Sequence, residues 1–330
     1  MKTKRPTVRD VAREAGVSYQ TVSRVINNNI NVSDLTRDRV NSAIEMLGFR
    51  PNRAAQIMQT ERSYTLEVVM PFNGFTRMLY DMARVANQLG YHFVISAIVP
   101  DQFAEALESG TSRFTDGFLL VPFPHLDDHD TLIRLANGIP FVQIGSRLGA
   151  KLPSVSSDQP QGARLAIQHL IGLGHQDIAE ISGPLFNYDA QDRHETWLAT
   201  LKEHGLTPGS SIEGDFTLNG GYDAMNRLLD IGKKFTAVFV GNDTMAFGAH
   251  TALRKRGLRV PEDVSIVGFD NIPESAHFLP GLTTVHQDSE LMGRLAVEYL
   301  VSLIEKPDTP IYQQVLIPRL VVRGTTRPIS

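Results

Sequence analysis

The feature that most constrains the fold is an alternation of short apolar runs with helical patterns, from about residue 66 to residue 270. Seven runs have the length and composition of strands: Leu66–Met70, Phe93–Val99, Gly117–Val121, Phe141–Ile144, Ile178–Ile181, Ala237–Val240 and Ser265–Phe269. In the helical stretch 77–89, one face carries Leu79, Met82, Val85, Ala86 and Leu89. This alternation predicts parallel sheets covered by helices on both faces. Because the strands are too many for one sheet, we predict an α/β core with two similar lobes.

The first sixty residues differ from this core in charge. Residues 1–62 contain 11 Lys and Arg against 6 Asp and Glu, a net charge of +5, out of totals of 32 and 36. The remaining residues therefore hold 21 basic and 30 acidic side chains, a net charge of −9. A basic head on an acidic body suggests that the head meets phosphate groups. The basic arm 1–6 belongs to this head and is expected to meet the phosphate backbone; the alternative is a frayed terminus.

The head begins with two short helical patterns. Thr7 and Asp10 have the spacing of a capping box, and Gly16 is suited to ending the first helix. Ser18 can cap a second helix, in which Val22 and Val25 share an inward face.

The outward face of the second helix carries Tyr19, Gln20 and Arg24. Glutamine can pair with an adenine edge and arginine with a guanine edge, as in a helix-turn-helix that enters the major groove. The alternative is an ordinary helical pair with a solvated polar face.

A polar turn at Asn27–Asn31 precedes a third predicted helix, from Ser33 to about Leu47, with Gly48 as its end. Its apolar residues give an inward stripe: Leu35, Val40, Ala43, Ile44 and Leu47. We expect this helix to support the core of the head rather than to read bases.

The chain from Thr7 through Arg53 carries a pattern specific enough to indicate a family. It comprises T-V-R-D-V-A-x-x-A-G-V-S-x-x-T-V-S-R-V-I-N, then V-S-x-x-T-R-x-R-V, then L-G-F-R-P-N-R-A-A. This segment resembles the DNA-binding head of the lactose-repressor/galactose-repressor family of bacterial transcription regulators. The resemblance continues less densely to the C-terminus. It implies a helix-turn-helix domain at 1–49, a hinge helix or linker at 50–63, and an effector-binding and dimerisation core at 64–330.

The resemblance implies a set of DNA contacts in the head and the hinge. These are Thr7, Ser18, Tyr19, Gln20, Thr21, Ser23, Arg24, Asn27, Asn52, Ala55 and Met58. In the family the hinge orders when two copies meet in the operator's minor groove, where apolar residues wedge between base steps. Met58 stands where the family usually has Leu, and its flexibility favours a weaker wedge. A flexible tether is the alternative for this segment.

The resemblance also implies that the core has the two lobes of a periplasmic sugar-binding protein. The chain would cross between them near Ser157, Asp288 and Arg319. One lobe would hold residues 64–157 and 289–318, and the other would hold residues 158–288 and 319–330.

An effector is expected in the cleft between the lobes, because ligands gather outside the carboxyl ends of parallel strands. Polar residues follow several predicted strands, although Asn and Asp next to Gly also form plain turns. By the resemblance, the effector contacts are Phe72, Asn73, Arg193, Phe216, Asn242, Asp270 and Gln287. Aromatic, amide, carboxylate and guanidinium groups of this kind suit a small sugar. The segment Gly145–Arg147 lacks the acid that the lactose repressor has there, which leaves room for another ligand.

Several classes of protein are disfavoured. The chain has no cysteine, which excludes disulfides and thiolate chemistry, and no nucleotide, zinc-protease or esterase motif. We therefore expect no enzyme activity, cofactor or metal. The N-terminus lacks a signal sequence and no run is long enough to span a bilayer, so a cytoplasmic, nucleoid-associated protein is expected. No apolar heptads follow the core, which favours a homodimer over a coiled-coil tetramer.

The leading interpretation is a ligand-responsive transcriptional regulator. It would bind a pseudo-palindromic operator as a dimer and repress under the control of a sugar-like effector. A purine or nucleoside co-repressor on the same architecture is the alternative. A sugar-transport component should carry a signal peptide and no helix-turn-helix, and an enzyme should show a catalytic constellation.

Overall fold

The computed structural model describes residues 6–26, 31–49, 62–71, 76–99, 102–112, 115–121, 129–149 and 151–329. Its internal contacts divide the chain into two compact units, Met1–Ser63 and Tyr64–Ser330. We call the first unit the head and the second unit the core.

The head contains three helices in its described part, α1 (Val8–Ala15), α2 (Tyr19–Ile26) and α3 (Asp34–Leu47). Thr7 caps α1 through the expected box, because its backbone N–H donates to Asp10 Oδ2 at 2.9 Å and its hydroxyl accepts from the Asp10 N–H. Gly16 and Gly48 end α1 and α3 in the left-handed conformation that glycine tolerates. The apolar faces of the three helices form one small core.

One prediction about the core of the head is wrong, namely that Leu35 faces inward. Leu35 is 76% exposed, whereas Val40 and Ala43 are buried as expected. Leu35 precedes Val40 by five residues, which places it roughly 140° around an α-helix with 3.6 residues per turn. Its side chain therefore points away from the face that packs on α1 and α2.

The core contains twelve strands in its described residues. They are β1 (Thr65–Pro71), β2 (His92–Ile98), β3 (Gly117–Leu120), β4 (Phe141–Ile144), β5 (Ser154–Ser157), β6 (Ile178–Ser182), β7 (Ser211–Glu213), β8 (Ala237–Val240), β9 (Ser265–Asp270), β10 (Thr283–His286), β11 (Gln313–Leu316) and β12 (Arg319–Val321). Its helices are α4 (Thr76–Gln88), α5 (Phe103–Ser112), α6 (His129–Ala136), α7 (Gln159–Gly172), α8 (Tyr188–Glu203), α9 (Leu218–Asp230), α10 (Asp243–Lys255), α11 (Glu274–His277) and α12 (Ser289–Glu305).

The strands form two six-stranded sheets with matching order. The first sheet runs β11-β5-β4-β3-β1-β2 and the second runs β12-β10-β9-β8-β6-β7. Neighbouring strands are parallel except β10 and β12, which are antiparallel. We call the first sheet with its helices lobe 1 and the second sheet with its helices lobe 2.

Helices cover both faces of each sheet because alternate residues of each strand point to opposite sides. In β3, Phe118 and Leu120 pack with α5 and α6, whereas Leu119 packs with α4 and α12. In lobe 2, α9 and α10 cover one face and α7 and α8 cover the other. Leu89 is 43% exposed, contrary to the predicted stripe, because α4 ends at Gln88 before reaching it.

The chain passes between the two sheets three times. The passages lie between β5 and α7, between β10 and α12, and between β11 and β12. The first two are short because Asp158 and Asp288 cap the helices that follow, accepting backbone hydrogen bonds at 2.9 Å. In the described residues, no helix is long and apolar enough to cross a membrane.

Candidate functional site

The head presents the predicted polar face on α2. Tyr19 is 52% exposed, Gln20 and Arg24 are also exposed, and Val22 and Val25 are buried beneath them. The three side chains therefore stand free to meet another molecule while the opposite face of α2 holds the helix in place.

The first turn of α2 is fixed by Ser18. Its hydroxyl accepts a hydrogen bond from the backbone N–H of Thr21 at 3.1 Å and lies 2.9 Å from the Thr21 hydroxyl. Ser18 and Thr7 are exposed, and Thr21 and Ser23 are half-buried. The predicted contacts Asn27, Asn52, Ala55 and Met58 lie outside the described residues.

In the core, Arg193 on α8 is the centre of the candidate cleft. Its side chain is nearly buried, and its guanidinium carbon lies 3.8 Å from the centroid of the Phe269 ring, in stacking range. Nε donates to Gln159 Oε1 at 2.9 Å and Nη1 donates to the Gly241 carbonyl at 2.5 Å. These contacts fix the plane of the guanidinium.

Asp270 ends β9 beside this arginine. Its Oδ1 lies 4.0 Å from Arg193 Nη2 and accepts a hydrogen bond from Gln287 Nε2 at 2.8 Å. Burial raises the pKa of Asp270, while the Arg193 charge and the Gln287 hydrogen bond oppose that rise. The residue adopts φ 106°, a backbone conformation that costs energy in a non-glycine residue and is typical of functional sites.

Phe216 and Asn242 form a second group next to Arg193. Asn242 caps α10, accepting from the Met245 N–H at 2.9 Å, and its Nδ2 donates to the Phe216 carbonyl at 3.2 Å. The Phe216 ring lies over Gly183, where an added Cβ would come within 2.3 Å of the ring. Gly183 is therefore needed for Phe216 to occupy this place. The carbonyl of Gly241 accepts from Arg193, and Gly241 directly precedes Asn242. The Phe216–Asn242 pair therefore adjoins the contacts of Arg193.

Two further acidic residues of lobe 2 lie close to this site. Burial raises the pKa of Asp189 to about 6, with Arg193 opposing the rise. A Cβ added to Gly145, at the carboxyl end of β4, would lie 3.8 Å from Asp189 Oδ2. Asp189 therefore faces lobe 1 across the cleft.

Asp243 lies wholly buried at the start of α10. Its Oδ2 accepts from Ser275 Oγ at 2.5 Å and from the Ile272 N–H at 3.0 Å, and its Oδ1 accepts from Thr284 Oγ1 at 2.5 Å. Burial and then the charge of Asp270 raise the pKa of Asp243 to about 7. Asp243 ties α10, β10 and the segment after β9 together behind Asp270.

Lobe 1 reaches the same cleft through Arg147, which follows β4. Nη2 donates to Gln191 Oε1 at 2.5 Å, Nε lies 3.7 Å from the Asp192 carboxylate, and the guanidinium lies 4.8 Å from the Tyr188 ring centroid. All three partners belong to α8 of lobe 2. Arg147 thus joins the two lobes beside the cleft.

Of the residues predicted to contact an effector, Arg193, Phe216, Asn242, Asp270 and Gln287 come together, and Phe72 and Asn73 lie outside the described residues. The structure places four further residues beside them that the predicted set does not contain, namely Gln159, Phe269, Asp189 and Asp243. Phe269 ends the predicted strand Ser265–Phe269, and Asp243 follows Asn242 directly, so position offered a signal for both. Gln159 pairs with residues far along the chain, which no local pattern reveals.

Two family models match the chain. Residues 7–52 match the bacterial regulatory proteins of the lacI family, and residues 167–326 match the periplasmic binding protein-like domain. The chain is 33% identical to the HTH-type transcriptional repressor PurR of Haemophilus influenzae, over 98% of this chain and 99% of that protein.

The chain belongs to the lacI family of bacterial regulatory proteins.

A second lacI-family relative is the lactose operon repressor of Escherichia coli, which is 34% identical over 97% of this chain and 90% of that protein. The crystal structure of the lac repressor dimer bound to operator and the anti-inducer ONPF superposes with a TM-score of 0.90. That match has 32% identity and covers 98% of this chain and 100% of the other. The predicted fold class is confirmed by this match. These lacI-family relatives are repressors, not enzymes.

Proposed function

We propose that this chain is a repressor whose head binds a pseudo-palindromic operator as a dimer and whose core binds a small polar effector in the interlobe cleft. The observation that carries the proposal is the cluster of Arg193 on α8 with Asp270 and Gln287 at strand ends, in a chain whose head exposes Tyr19, Gln20 and Arg24. The lac repressor in the matching structure is a dimer bound to operator and a small ligand.

The proposed DNA contacts divide into two kinds. Tyr19, Gln20 and Arg24 read base edges from the exposed face of α2, while Thr7, Ser18, Thr21 and Ser23 position the helix. Asn27 and the hinge residues Asn52, Ala55 and Met58 complete the proposed set. Two heads place their α2 helices in successive major grooves, which requires half-sites one helical turn apart.

Selection of bound duplexes from a random library tests the DNA proposal. We expect the full chain to enrich a symmetric sequence and to bind it with two chains per duplex. Arg24→Ala should relax base choice at one position of each half-site, at a cost of about 1–3 kcal/mol. Lys4→Ala should weaken binding to all sequences alike and reduce the salt dependence. Equal loss of specificity in both variants contradicts the assignment, and an unselective wild type contradicts the DNA proposal as a whole.

The proposed effector is a sugar. Arg193 and Asp270 offer a donor and an acceptor 4.0 Å apart, which suits neighbouring hydroxyl groups, and Phe216 offers an aromatic face beside them. Asn242 and Gln287 add amide groups. A purine or nucleoside is the second candidate, because the chain is 33% identical to the repressor PurR.

A thermal-shift panel of D-galactose, D-glucose, D-ribose, cellobiose, hypoxanthine and guanine tests the effector proposal. A compound that binds the native state raises the unfolding temperature, and the stabilisation grows with the logarithm of its concentration relative to Kd. Arg193→Ala should abolish the shift without changing operator affinity. Arg164→Ala is the matched control, because Arg164 pairs with Glu203 on the surface of lobe 2. A full shift in the Arg193 variant contradicts the site. Repeating the panel with operator DNA separates an inducer from a co-repressor, because the coupling is reciprocal.

A further inference from the structure

Gln159 is a buried polar residue that the proposed effector contacts leave unexplained. It is the first residue of α7, directly after the passage from lobe 1 to lobe 2, and its side chain is 4% exposed. A buried carboxamide must find hydrogen-bond partners, because leaving it unpaired costs free energy.

The side chain of Gln159 links two members of the site. Its Oε1 accepts from Arg193 Nε at 2.9 Å, and its Nε2 donates to Gln287 Oε1 at 2.8 Å. Gln287 Nε2 in turn donates to Asp270 Oδ1 at 2.8 Å. We call this chain of hydrogen bonds, from Arg193 through Gln159 and Gln287 to Asp270, the amide relay.

The chemistry of its two ends fixes the direction of the amide relay. A guanidinium can only donate and an ionised carboxylate can only accept. Gln159 must therefore present its oxygen to Arg193, which leaves its nitrogen for Gln287. Gln287 must then present its oxygen to Gln159 and its nitrogen to Asp270. One amide turned the wrong way would set two acceptors or two donors against each other.

The amide relay also joins the passages between the lobes. Gln159 follows the passage after β5, and Gln287 precedes the passage into α12. The Gln159–Gln287 hydrogen bond therefore ties together two of the three segments on which the lobes would turn.

We propose that Gln159 is a positioning residue of the effector cleft: it holds the Arg193 guanidinium and, through Gln287, the Asp270 carboxylate in the orientation that binds the effector. This inference rests on the proposed function. A donor and an acceptor held in fixed planes discriminate between ligands more sharply than mobile ones, because a mismatched group is left unpaired.

Two substitutions at Gln159 test its hydrogen bonds to Arg193 and to Gln287 separately. Gln159→Glu keeps the acceptor for Arg193 but removes the donor to Gln287, whereas Gln159→Met is neutral, similar in size and removes both. In full-length protein, NMR follows the exchange of the Arg193 Nε–H with solvent and the titration of the Asp270 carboxyl carbon. We expect exchange to speed up in the Met variant but to stay slow in the Glu variant. We expect the pKa of Asp270 to rise in both, because Gln287 is no longer held to donate.

Gln161→Glu, which adds the same charge two residues along α7, is the control for charge alone. A Gln159→Met protein with the wild-type Arg193 exchange rate and Asp270 titration overturns the inference. The same thermal-shift panel gives the functional result. If a panel compound binds the wild type, its affinity should fall roughly tenfold to a hundredfold in the Met variant. Undiminished affinity there also overturns the inference. Failure of every compound on the wild type counts against the sugar and purine proposals instead, since the NMR result does not depend on a ligand.

Discussion

The two lobes repeat one architecture down to a buried glutamate in each. Glu67 is the third residue of β1 and lies opposite Phe118, and Glu180 is the third residue of β6 and lies opposite Phe239. Each accepts a hydrogen bond from a serine on the adjacent edge strand, Ser96 at 2.5 Å in lobe 1 and Ser211 at 2.6 Å in lobe 2. The two glutamates differ in a further hydrogen-bond partner.

In lobe 1 a neutral group is a further partner, since Thr115 donates to Glu67 at 2.9 Å. In lobe 2 the partner is His194 on α8, whose Nδ1 lies 2.6 Å from Glu180. His194 is the neighbour of Arg193 on the same helix, so Glu180 helps to set the orientation of the helix that carries the guanidinium. The Glu180–His194 contact thus adds an ionisable pair to the helix that carries Arg193.

Carboxylates show the same asymmetry. In the part of the chain that the structure describes, every Asp or Glu whose pKa is raised lies in lobe 2, and these are Asp189, Asp192, Asp243 and Asp270. Burial is the first cause of each rise. Perturbed acids cluster at functional sites because binding groups are desolvated there. In the described residues, the acids with a raised pKa therefore lie in the same lobe as Arg193.

The largest expected effect is on the buried acid behind the site. Asp243→Ala leaves three donors without an acceptor, the Ile272 N–H and the hydroxyls of Ser275 and Thr284. We expect it to destabilise lobe 2 by roughly 3 kcal/mol or more. Urea unfolding followed by the fluorescence of Trp197 measures this, because the chain's one tryptophan is buried in lobe 2. A loss of stability below about 1 kcal/mol would contradict the inference that Asp243 ties α10, β10 and the segment after β9 together.

The control is Asp243→Asn, which can still accept from Ser275 and Ile272 and can donate to Thr284. It also tests the protonation of Asp243. A carboxyl whose pKa is raised on folding binds more protons in the native state. Its contribution is therefore fully present below about pH 4, the unfolded value, and declines as the pH rises towards 7. Wild type should lose stability relative to the Asn variant across that window. A constant difference would show that Asp243 stays ionised.

The paired glutamates give the next largest effect. The Glu180 hydrogen bond is the main cause that raises the pKa of His194, with burial opposing it. The stability that the Glu180–His194 contact contributes is fully present below pH 6.5 and is lost as the pH rises through the native pKa of His194. Glu180→Gln should therefore cost about 1–2 kcal/mol at pH 6 and less at pH 8. Glu67→Gln should show much less pH dependence, because its hydroxyl partners are neutral.

Urea unfolding at pH 6 and pH 8, followed by far-UV circular dichroism, compares the two variants. Equal pH dependence in both variants would remove the distinction between the lobes. A flat profile for Glu180→Gln would mean that His194 is neutral in the native state at both values.

Periodicity predicted strands that are buried on both faces, such as β3 and β8, because each is a continuous apolar run. It missed β5, where the sequence Ser-Val-Ser-Ser buries three hydroxyl-bearing residues around Val155. It also missed β7, β11 and β12, which are short and lie at sheet edges. An edge strand has one neighbour and little apolar surface to bury, so its sequence carries a weak pattern.

The candidate site was predictable where polar residues follow predicted strands, as at Asn242 and Asp270. The amide relay was not, because Gln159 pairs with Arg193 and Gln287, which are 34 and 128 residues away. Glutamine has no periodic pattern in the sequence. The hydrogen bonds that its amide makes depend on which groups the fold brings close to it. Leu35 shows the opposite failure. Its apolar character suggested an inward position on α3, but the side chain is exposed.

The smallest expected effect concerns the contact between the lobes. Arg147 is 46% exposed at the side chain, so its ion pair with Asp192 is screened, and Arg147→Ala should change stability by less than about 1 kcal/mol. The local effect should be larger, because the guanidinium binds the first turns of α8 from the opposite lobe. Hydrogen exchange in segment 184–192 should quicken several-fold, and more so at low salt, where the charge contributes most. Arg164→Ala removes a comparable surface pair within lobe 2 and should leave this segment unchanged. Equal exchange in both variants would mean that lobe 1 does not hold α8, and α8 would then be ordered by lobe 2 alone.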